Sequence, residues 1–255
     1  MLELINVSRH FGGLQAISDL TMTIGEGRIT AVIGPNGAGK TTLFNLITGF
    51  LPVHSGEIRY RGESLAKMRP SQILRLGIAR TFQDLRLFGQ LSALDNVRIA
   101  VPGSEGYGLL SAFSSVSPAD GLNKRTAAAE EVLDFMGLAD KRHHDANSLS
   151  YGDQKALAIA RVLATECPML LLDEPAAGLD QRYIASMFAK LREAVGRGRT
   201  ICIVEHNIAV VRELCDYVIV LHHGTKLAEG VPEQVMRNEQ VIDVYLGKPT
   251  ALTGA

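Results

Sequence analysis

The stretch Gly34-Pro35-Asn36-Gly37-Ala38-Gly39-Lys40-Thr41-Thr42 brings together residue types that can do chemistry on a phosphate. Its spacing, G-x-x-x-x-G-K-[ST], is that of a nucleotide phosphate cradle. Glycines lack a Cβ and let consecutive backbone N–H groups turn inward around phosphate oxygens. The helix-forming run Leu43-Phe44-Asn45-Leu46-Ile47 follows, and the orphan N–H groups of a helix start favour an anion there. The Lys40 ammonium can sit between β- and γ-phosphates, and the Thr41 hydroxyl can ligate Mg²⁺. The apolar run Ile29-Thr30-Ala31-Val32-Ile33 ahead of the loop completes a strand, glycine-rich turn and helix.

A second group of candidates sits at the ends of apolar runs. Met169-Leu170-Leu171-Leu172 leads into Asp173-Glu174-Pro175. Such runs are expected in a parallel sheet buried on both faces, and ligands gather at the C-terminal ends of its strands. Solvation explains one acid at a strand end. Two adjacent acids downstream of a phosphate loop are better explained as a Mg²⁺-side aspartate and a residue that orients water. The buried strand Thr200-Ile201-Cys202-Ile203-Val204 ends in Glu205-His206; a lone histidine is often just a satisfied polar residue, but a strand end beside a nucleotide site makes His206 a candidate. Ser150, with Asp153 after it, marks a helix start over residues 150–164, and the same helix N-terminus with its hydroxyl and Gly152 is also a possible anion site. Phe11, in the turn His10-Phe11-Gly12-Gly13, is either a loop residue folded onto the core or a face on which adenine could stack.

These groups need a frame. Residues 2–7 and 20–24 alternate apolar and polar residues as half-buried strands do, and residues 56–62 read as a short strand closing an antiparallel layer. Residues 70–77 form a helical turn or two, leading to a strand over 78–83 that ends in Gln83. Residues 84–101 are mixed, with Phe88 and Leu91 at the surface. Residues 102–121, rich in Gly, Ser and Pro, read as an irregular, mobile insertion, followed by a helix over 126–136. Residues 177–180 form a tight turn, residues 216–221 a further strand, and residues 230–247 a small helix pair. His143-His144 and His222-His223 read as solvated surface.

The 255 residues suit one domain with a subdomain. With Lys plus Arg at 26 and Asp plus Glu at 27, the balance gives no support for a general nucleic-acid binder. Cys167, Cys202 and Cys215 form no C-x-x-C pair, so buried thiols in a reducing compartment are expected. No apolar run approaches the length of a bilayer span; a membrane role needs a partner.

In this order the motifs resemble those of the nucleotide-binding subunit of an ATP-binding-cassette transporter, over residues 2–246. The resemblance implies an α/β fold: a P-loop NTPase core with a mixed, mainly parallel sheet, an N-terminal antiparallel β-layer and an inserted α-helical subdomain. Residues 1–83 and 165–229 would form the core, 84–164 the helical subdomain and 230–255 the C-terminal tail. It makes Phe11 the adenine-stacking aromatic, residues 34–42 the Walker A loop, and Gln83 the glutamine that senses Mg²⁺, the γ-phosphate and the membrane partner. Ser150, Tyr151 and Gly152 lie in the signature motif, Asp173 closes Walker B, Glu174 is the catalytic glutamate, Asp180 the D-loop aspartate and His206 the switch histidine. Thr41, Gln83 and Asp173 would hold Mg²⁺. Tyr151 and Asp153 depart from the family's Leu-Ser-Gly-Gly-Gln signature; the Asp153 carboxylate should weaken triphosphate contact unless it points away or pairs with Lys155.

Gly77-Ile78-Ala79-Arg80-Thr81-Phe82-Gln83, the Tyr151-Gly152 pair, Val204-Glu205-His206-Asn207 and Val241-Ile242-Asp243-Val244-Tyr245-Leu246-Gly247 are similar to the ATPases of branched-chain amino-acid importers, with urea and short-amide importers sharing much of the pattern. The resemblance further implies ATP and Mg²⁺ as ligands and a second cassette, identical or related, packed head to tail. It also implies transmembrane permease subunits, an indirect extracellular solute-binding protein, and a peripheral place on the cytoplasmic face of the membrane. Cassettes that act on DNA or ribosomes are the more distant alternative, and a degenerate subunit that holds ATP without efficient turnover is another. Replacing Lys40 with Ala is expected to abolish tight nucleotide binding in a filter assay; wild-type affinity would refute the cradle.

Overall fold

The computed structural model describes residues 1–103 and 118–246. At the N-terminus, β1 (Leu2–Phe11) and β2 (Leu14–Ile24) form a hairpin, and β1 pairs on its other edge with β4 (Ser55–Tyr60), which carries the short β5 (Glu63–Ser64). All pairings in this four-stranded layer are antiparallel, with Leu2 facing Ile24 on one side and Tyr60 on the other. The hairpin strands run further than alternation alone marks. Asn6 and Asp19 take positive φ of 50° and 46° at irregularities in the register, and such bulges reset which face each side chain meets.

The second sheet holds β3 (Ile29–Ile33), β6 (Ile78–Arg80), β7 (Met169–Asp173), β8 (Thr200–Val204), β9 (Tyr217–His222) and β10 (Thr225–Gly230), in the order β10-β9-β3-β8-β7-β6. Only β10 runs antiparallel to its neighbour. Every residue of β3, β7 and β8 is buried, because both faces are covered. Val32, Leu171 and Cys202 point toward the antiparallel layer and toward Leu43, Phe44 and Ile47 of α1 (Lys40–Ile47). Ile33, Leu172 and Ile203 point the other way, into a core completed by α6 (Gln181–Gly196) and α7 (Ile208–Leu214). The helix that begins at Lys40 is thus clamped between two sheets.

The helical part comprises α2 (Pro70–Leu76), α3 (Ala93–Arg98), α4 (Pro118–Met136) and α5 (Tyr151–Ala164), with α8 (Pro232–Val235) and α9 (Glu239–Leu246) closing the described chain. Helices α3, α6 and α7 go beyond the elements expected above; their starts are capped by Ser92, Asp180 and Asn207, whose side chains accept backbone N–H groups. Two expectations need correcting. The strand before Gln83 ends at Arg80, not at 83, because the Thr81 hydroxyl takes the Asp173 N–H at 2.9 Å and the ladder stops there. Of the segment 102–121, residues 118–121 are helical: Pro118 suits a first helical turn, and Gly121 masks the helix signal. Residues 104–117 and 247–255 lie outside the described residues.

Cys167, Cys202 and Cys215 are free and buried, as expected, and His143 and His144 are exposed. Among the described residues no helix is long and apolar enough to cross a membrane. Residues 88–92 are shaped by Asn96, which is fully buried: its amide nitrogen donates to the carbonyls of Phe88, Leu91 and Ser92, and its oxygen accepts the Phe88 N–H at 2.9 Å. Asn96→Ala should cost about 1–3 kcal/mol, the penalty of leaving buried polar groups unpaired, measured by denaturant unfolding; a loss within error of zero would remove Asn96 from this role.

Candidate functional site

Between β3 and α1, residues 34–39 form a loop whose glycines are set by space as well as by φ. A Cβ on Gly34 would come within 2.2 Å of the Leu221 carbonyl oxygen, and one on Gly39 within 2.6 Å of that of Ala16. Gly37 faces open space, so its φ of +80° alone selects glycine. The Gly224 N–H donates to the Ala38 carbonyl at 3.1 Å, stapling the loop to the β9–β10 turn. Asn36, Gly37 and Thr41 are exposed, and Pro35 and Thr42 partly so. Lys40 is buried and donates to the carbonyls of Gly34 at 2.6 Å and Pro35 at 2.9 Å. Burial pushes its pKa down, while the carboxylates of Glu174 and Asp173 oppose that, which places those two acids beside the loop.

Asp173 ends β7 and is buried against Arg80, 2.9 Å from Nη2 to Oδ2. Arg80 also donates to Asn45 Oδ1 of α1 at 2.6 Å. Glu174 follows with φ +47°, a left-handed conformation that costs a non-glycine residue about 1–3 kcal/mol. Its N–H is held by the Val204 carbonyl at 2.9 Å, and Oε1 lies 3.6 Å from Nδ1 of His206. Between Val204 and His206, Glu205 is sealed from solvent; its two oxygens accept the N–H groups of Ala176 at 3.0 Å and His206 at 3.3 Å. Burial raises the Glu205 pKa, and those backbone donors act against the rise. Gln83 is exposed and lines a narrow cleft of about 20 Å³ with Asp173, Lys155 and Pro175. Lys40, Asp173, Glu174, His206 and Gln83 therefore gather at the C-terminal ends of the parallel strands.

Ser150 caps α5 elsewhere. Its hydroxyl donates to Asp153 Oδ2 at 2.6 Å and lies 3.5 Å from the Tyr183 hydroxyl of α6. Asp153 points inward, as one of the two expected arrangements has it, but its partner is not Lys155. Lys141 donates to Oδ2 at 2.8 Å and the Tyr183 hydroxyl to Oδ1 at 3.0 Å, whereas Lys155 reaches the carbonyls of Glu174 and Pro175. Burial presses the Asp153 pKa upward, but the hydrogen bonds from Lys141, Ser150 and Tyr183 outweigh it and hold the carboxyl below its ordinary value. Gly152 is buried against the Tyr183 ring, where a Cβ would come within 2.8 Å. Tyr151 is exposed, Asp180 spends its carboxylate on capping α6, and Phe11 is 41 % exposed at the β1–β2 turn with the Arg9 guanidinium 4.8 Å over its ring. Among the described residues, Ser150, Tyr151, Gly152 and Phe11 make no hydrogen bond to loop 34–42. Arg80, Lys141, Lys155, Tyr183 and Glu205 are the residues that motif spacing misses. A basic residue at the end of a buried strand was the available signal for Arg80.

The model of the family described as ABC transporter matches residues 17–177, and that described as branched-chain amino acid ATP-binding cassette transporter matches residues 225–251. The chain is 36% identical over 253 residues to the high-affinity branched-chain amino acid transport ATP-binding protein BraF of Pseudomonas aeruginosa, covering 97% of this chain and 98% of the relative. It is 36% identical over 252 residues to LivG of Escherichia coli, a protein of the same description, with the same coverage. Among solved structures, a nucleotide-free ATP-binding cassette from an ABC transporter superposes with a TM-score of 0.83 at 28% identity, covering 97% of this chain and 99% of that one. A dimeric bacterial ABC transporter cassette gives a TM-score of 0.77 at 26% identity, covering 91% of this chain and 99% of that one. The α/β frame that carries the phosphate loop and the strand-end carboxylates is shared with these solved cassettes, and the chain belongs to the ATP-binding-cassette transporter family of ATPases.

Proposed function

We propose that this chain is the ATP-hydrolysing subunit that powers import of branched-chain, hydrophobic amino acids through partner permease subunits. The observation that carries it is the approach of His206 to Glu174, 3.6 Å apart, beside the lysine of the phosphate loop, in a chain whose curated relatives are named for branched-chain amino acid transport. Those names favour this solute class over urea or short amides, and the near-zero net charge fits a membrane partner better than nucleic acid.

Phosphoryl transfer leaves the protein mainly positioning and charge stabilisation to do. The loop N–H groups and Lys40 hold the γ-phosphate, which requires Lys40 to exchange the Gly34 and Pro35 carbonyls for phosphate oxygens. Glu174 polarises the attacking water, and His206 bridges toward the γ-phosphate. Thr41, Asp173 and Gln83 offer hard oxygen donors. Among the described residues no cluster of three or more His, Cys, Asp or Glu side chains forms a metal cage, and a donor set of this kind suits an ion held by one carboxylate plus substrate phosphates. Thr41, Asp173 and Gln83 would hold Mg²⁺ there, and its charge would offset that of the bound phosphates.

A second cassette, identical or related, completes each site by presenting Ser150, Tyr151 and Gly152 to the partner's nucleotide, and Asp180 lies at that interface. Phe11 stacks on adenine. The permease docks on the surface around Phe82, Gln83 and Phe88, where Phe88 is 46% and Phe50 49% exposed, on the cytoplasmic face of the membrane; the extracellular solute-binding protein acts only through the permease.

The test is reconstitution of the chain with its co-purifying membrane subunits in liposomes. ATP-driven uptake of labelled leucine is expected, and Glu174→Gln should retain ATP binding while slowing turnover about 10²–10⁴-fold. Recovery of only soluble partners, or unslowed turnover in the variant, would sink the proposal. Because Asp153 is neutralised within its own chain, Asp153→Gln should leave ATP turnover within about threefold of wild type, the range of a group outside the charge-bearing contacts; a large gain would mean the carboxylate reaches the nucleotide.

A further inference from the structure

The turn that carries Glu174 is gripped from two sides by groups with no assigned part in the chemistry. From α5, the Lys155 ammonium, 7% exposed, donates to the Glu174 carbonyl at 2.6 Å and to the Pro175 carbonyl at 3.4 Å. One helical turn earlier Tyr151 lies against the same segment: a Cβ on Gly178 would come within 2.9 Å of its ring, and Lys155 Nζ is 5.6 Å from the ring centroid. From the end of β8, Glu205 holds the Ala176 N–H. Charges are costly to bury unless they are paired or hydrogen-bonded. Lys155 spends its hydrogen bonds on the backbone of the turn, and Glu205 divides its own between Ala176 of the turn and His206; the two do not bond each other.

Glu174 needs such support. A non-glycine residue at φ +47° persists only where its surroundings over-determine it. The surroundings act on Glu174 through its N–H, held by Val204, and through its carbonyl, which accepts both Lys155 and the Ala177 N–H at 3.2 Å.

We propose that Lys155 is a positioning residue for hydrolysis, holding the Glu174 backbone, and hence the aim of its carboxylate, with Glu205 as the opposing hold. The inference rests on Glu174 being the base that polarises water. Its consequence is mechanical. Ser150 is the N-cap of α5, so a contact made at Ser150 and the grip on Glu174 belong to one helix. A packing role for Lys155 predicts losses that track stability and add to those of other mutations; a positioning role predicts a loss in kcat alone that vanishes when Glu174 is already disabled.

The experiment measures steady-state ATPase kinetics and amide hydrogen exchange in the assembled transporter. Lys155→Met is expected to lower kcat about 10–100-fold, the cost of misplacing a reacting group by an ångström or less, with KM for ATP within about twofold. Exchange at Ala176 and Ala177 should speed up. In the Glu174→Gln background the same substitution should cost less than about twofold further. Lys155→Met alone also removes a positive charge that acts on the buried Glu205, so the neutral pair Lys155→Met with Glu205→Gln is measured alongside, with the same outcome expected. A kcat within about twofold of wild type in both variants, or an equal fold-loss in both backgrounds, overturns the proposal. Unslowed turnover in Glu174→Gln alone overturns the assignment of the base, and this inference with it.

Discussion

Arg80 and Asp173 meet at 2.9 Å with side chains only 5% and 4% exposed. Removing one partner of such a pair leaves an unpaired buried charge, at about 3–5 kcal/mol, so the end of β7 can keep its aspartate only if β6 keeps its arginine. The pair organises more than itself. The guanidinium reaches Asn45 at 2.6 Å and Thr48 at 3.5 Å, and it lies 5.2 Å from the Phe44 ring and 5.1 Å from that of Phe82. One side chain thus ties together the helix that begins at Lys40, the strand that ends at Asp173 and the segment that leads to Gln83. Burial drives the Arg80 pKa down and Asp173 drives it up, and an arginine stays charged in either case.

That pair also explains why the site forms where the ladder stops. Oδ2 of Asp173 is committed to Arg80 and its N–H to Thr81, leaving Oδ1 for other partners. One residue further on, the sheet's hydrogen bonds continue without its geometry: the Glu174 N–H goes to Val204 and the Glu205 N–H to Val32. Polar side chains are available there because the backbone has begun to turn away from the sheet, and the positive φ of Glu174 is the turn's first step. Strain and the proposed chemistry share that residue, as they do at many active sites.

Much of this frame is legible in the residues. β3, β7 and β8 are continuous apolar runs because both their faces are covered, and the loop after β3 carries its glycines where φ or a neighbouring carbonyl requires them. The candidate site residues with charged side chains follow these runs for the same reason, since a buried strand accommodates a charge most readily at its end. What stays hidden depends on contacts between distant segments. Nothing near Arg80 in the chain reveals Asp173, and nothing near Lys141 reveals Asp153; Lys155 offers Asp153 a partner two residues away, yet its ammonium is used 19 residues on. The strand before Gln83 reads too long because apolar pattern cannot show that Thr81 trades a ladder bond for a side-chain one.

The two departures from the family's signature are legible only in space. Asp153 would place a negative charge at the start of α5, where a helix N-terminus otherwise favours anions. Lys141 cancels that charge at 2.8 Å, and Tyr183 and Ser150 take up the remaining lone pairs. The carboxylate raises the Lys141 pKa in turn, its hydrogen bond being the main cause, so both groups stay charged together around neutral pH and the helix start keeps its anion preference. Tyr151 takes the place of a glycine and turns its ring onto Gly178, beside Lys155. A Cβ at position 178 would come within 2.9 Å of that ring, so the glycine there, which its φ of +74° also favours, makes room for Tyr151. In this chain both positions are held by contacts of their own, and those of Tyr151 and Lys155 join α5 to the turn that carries Glu174.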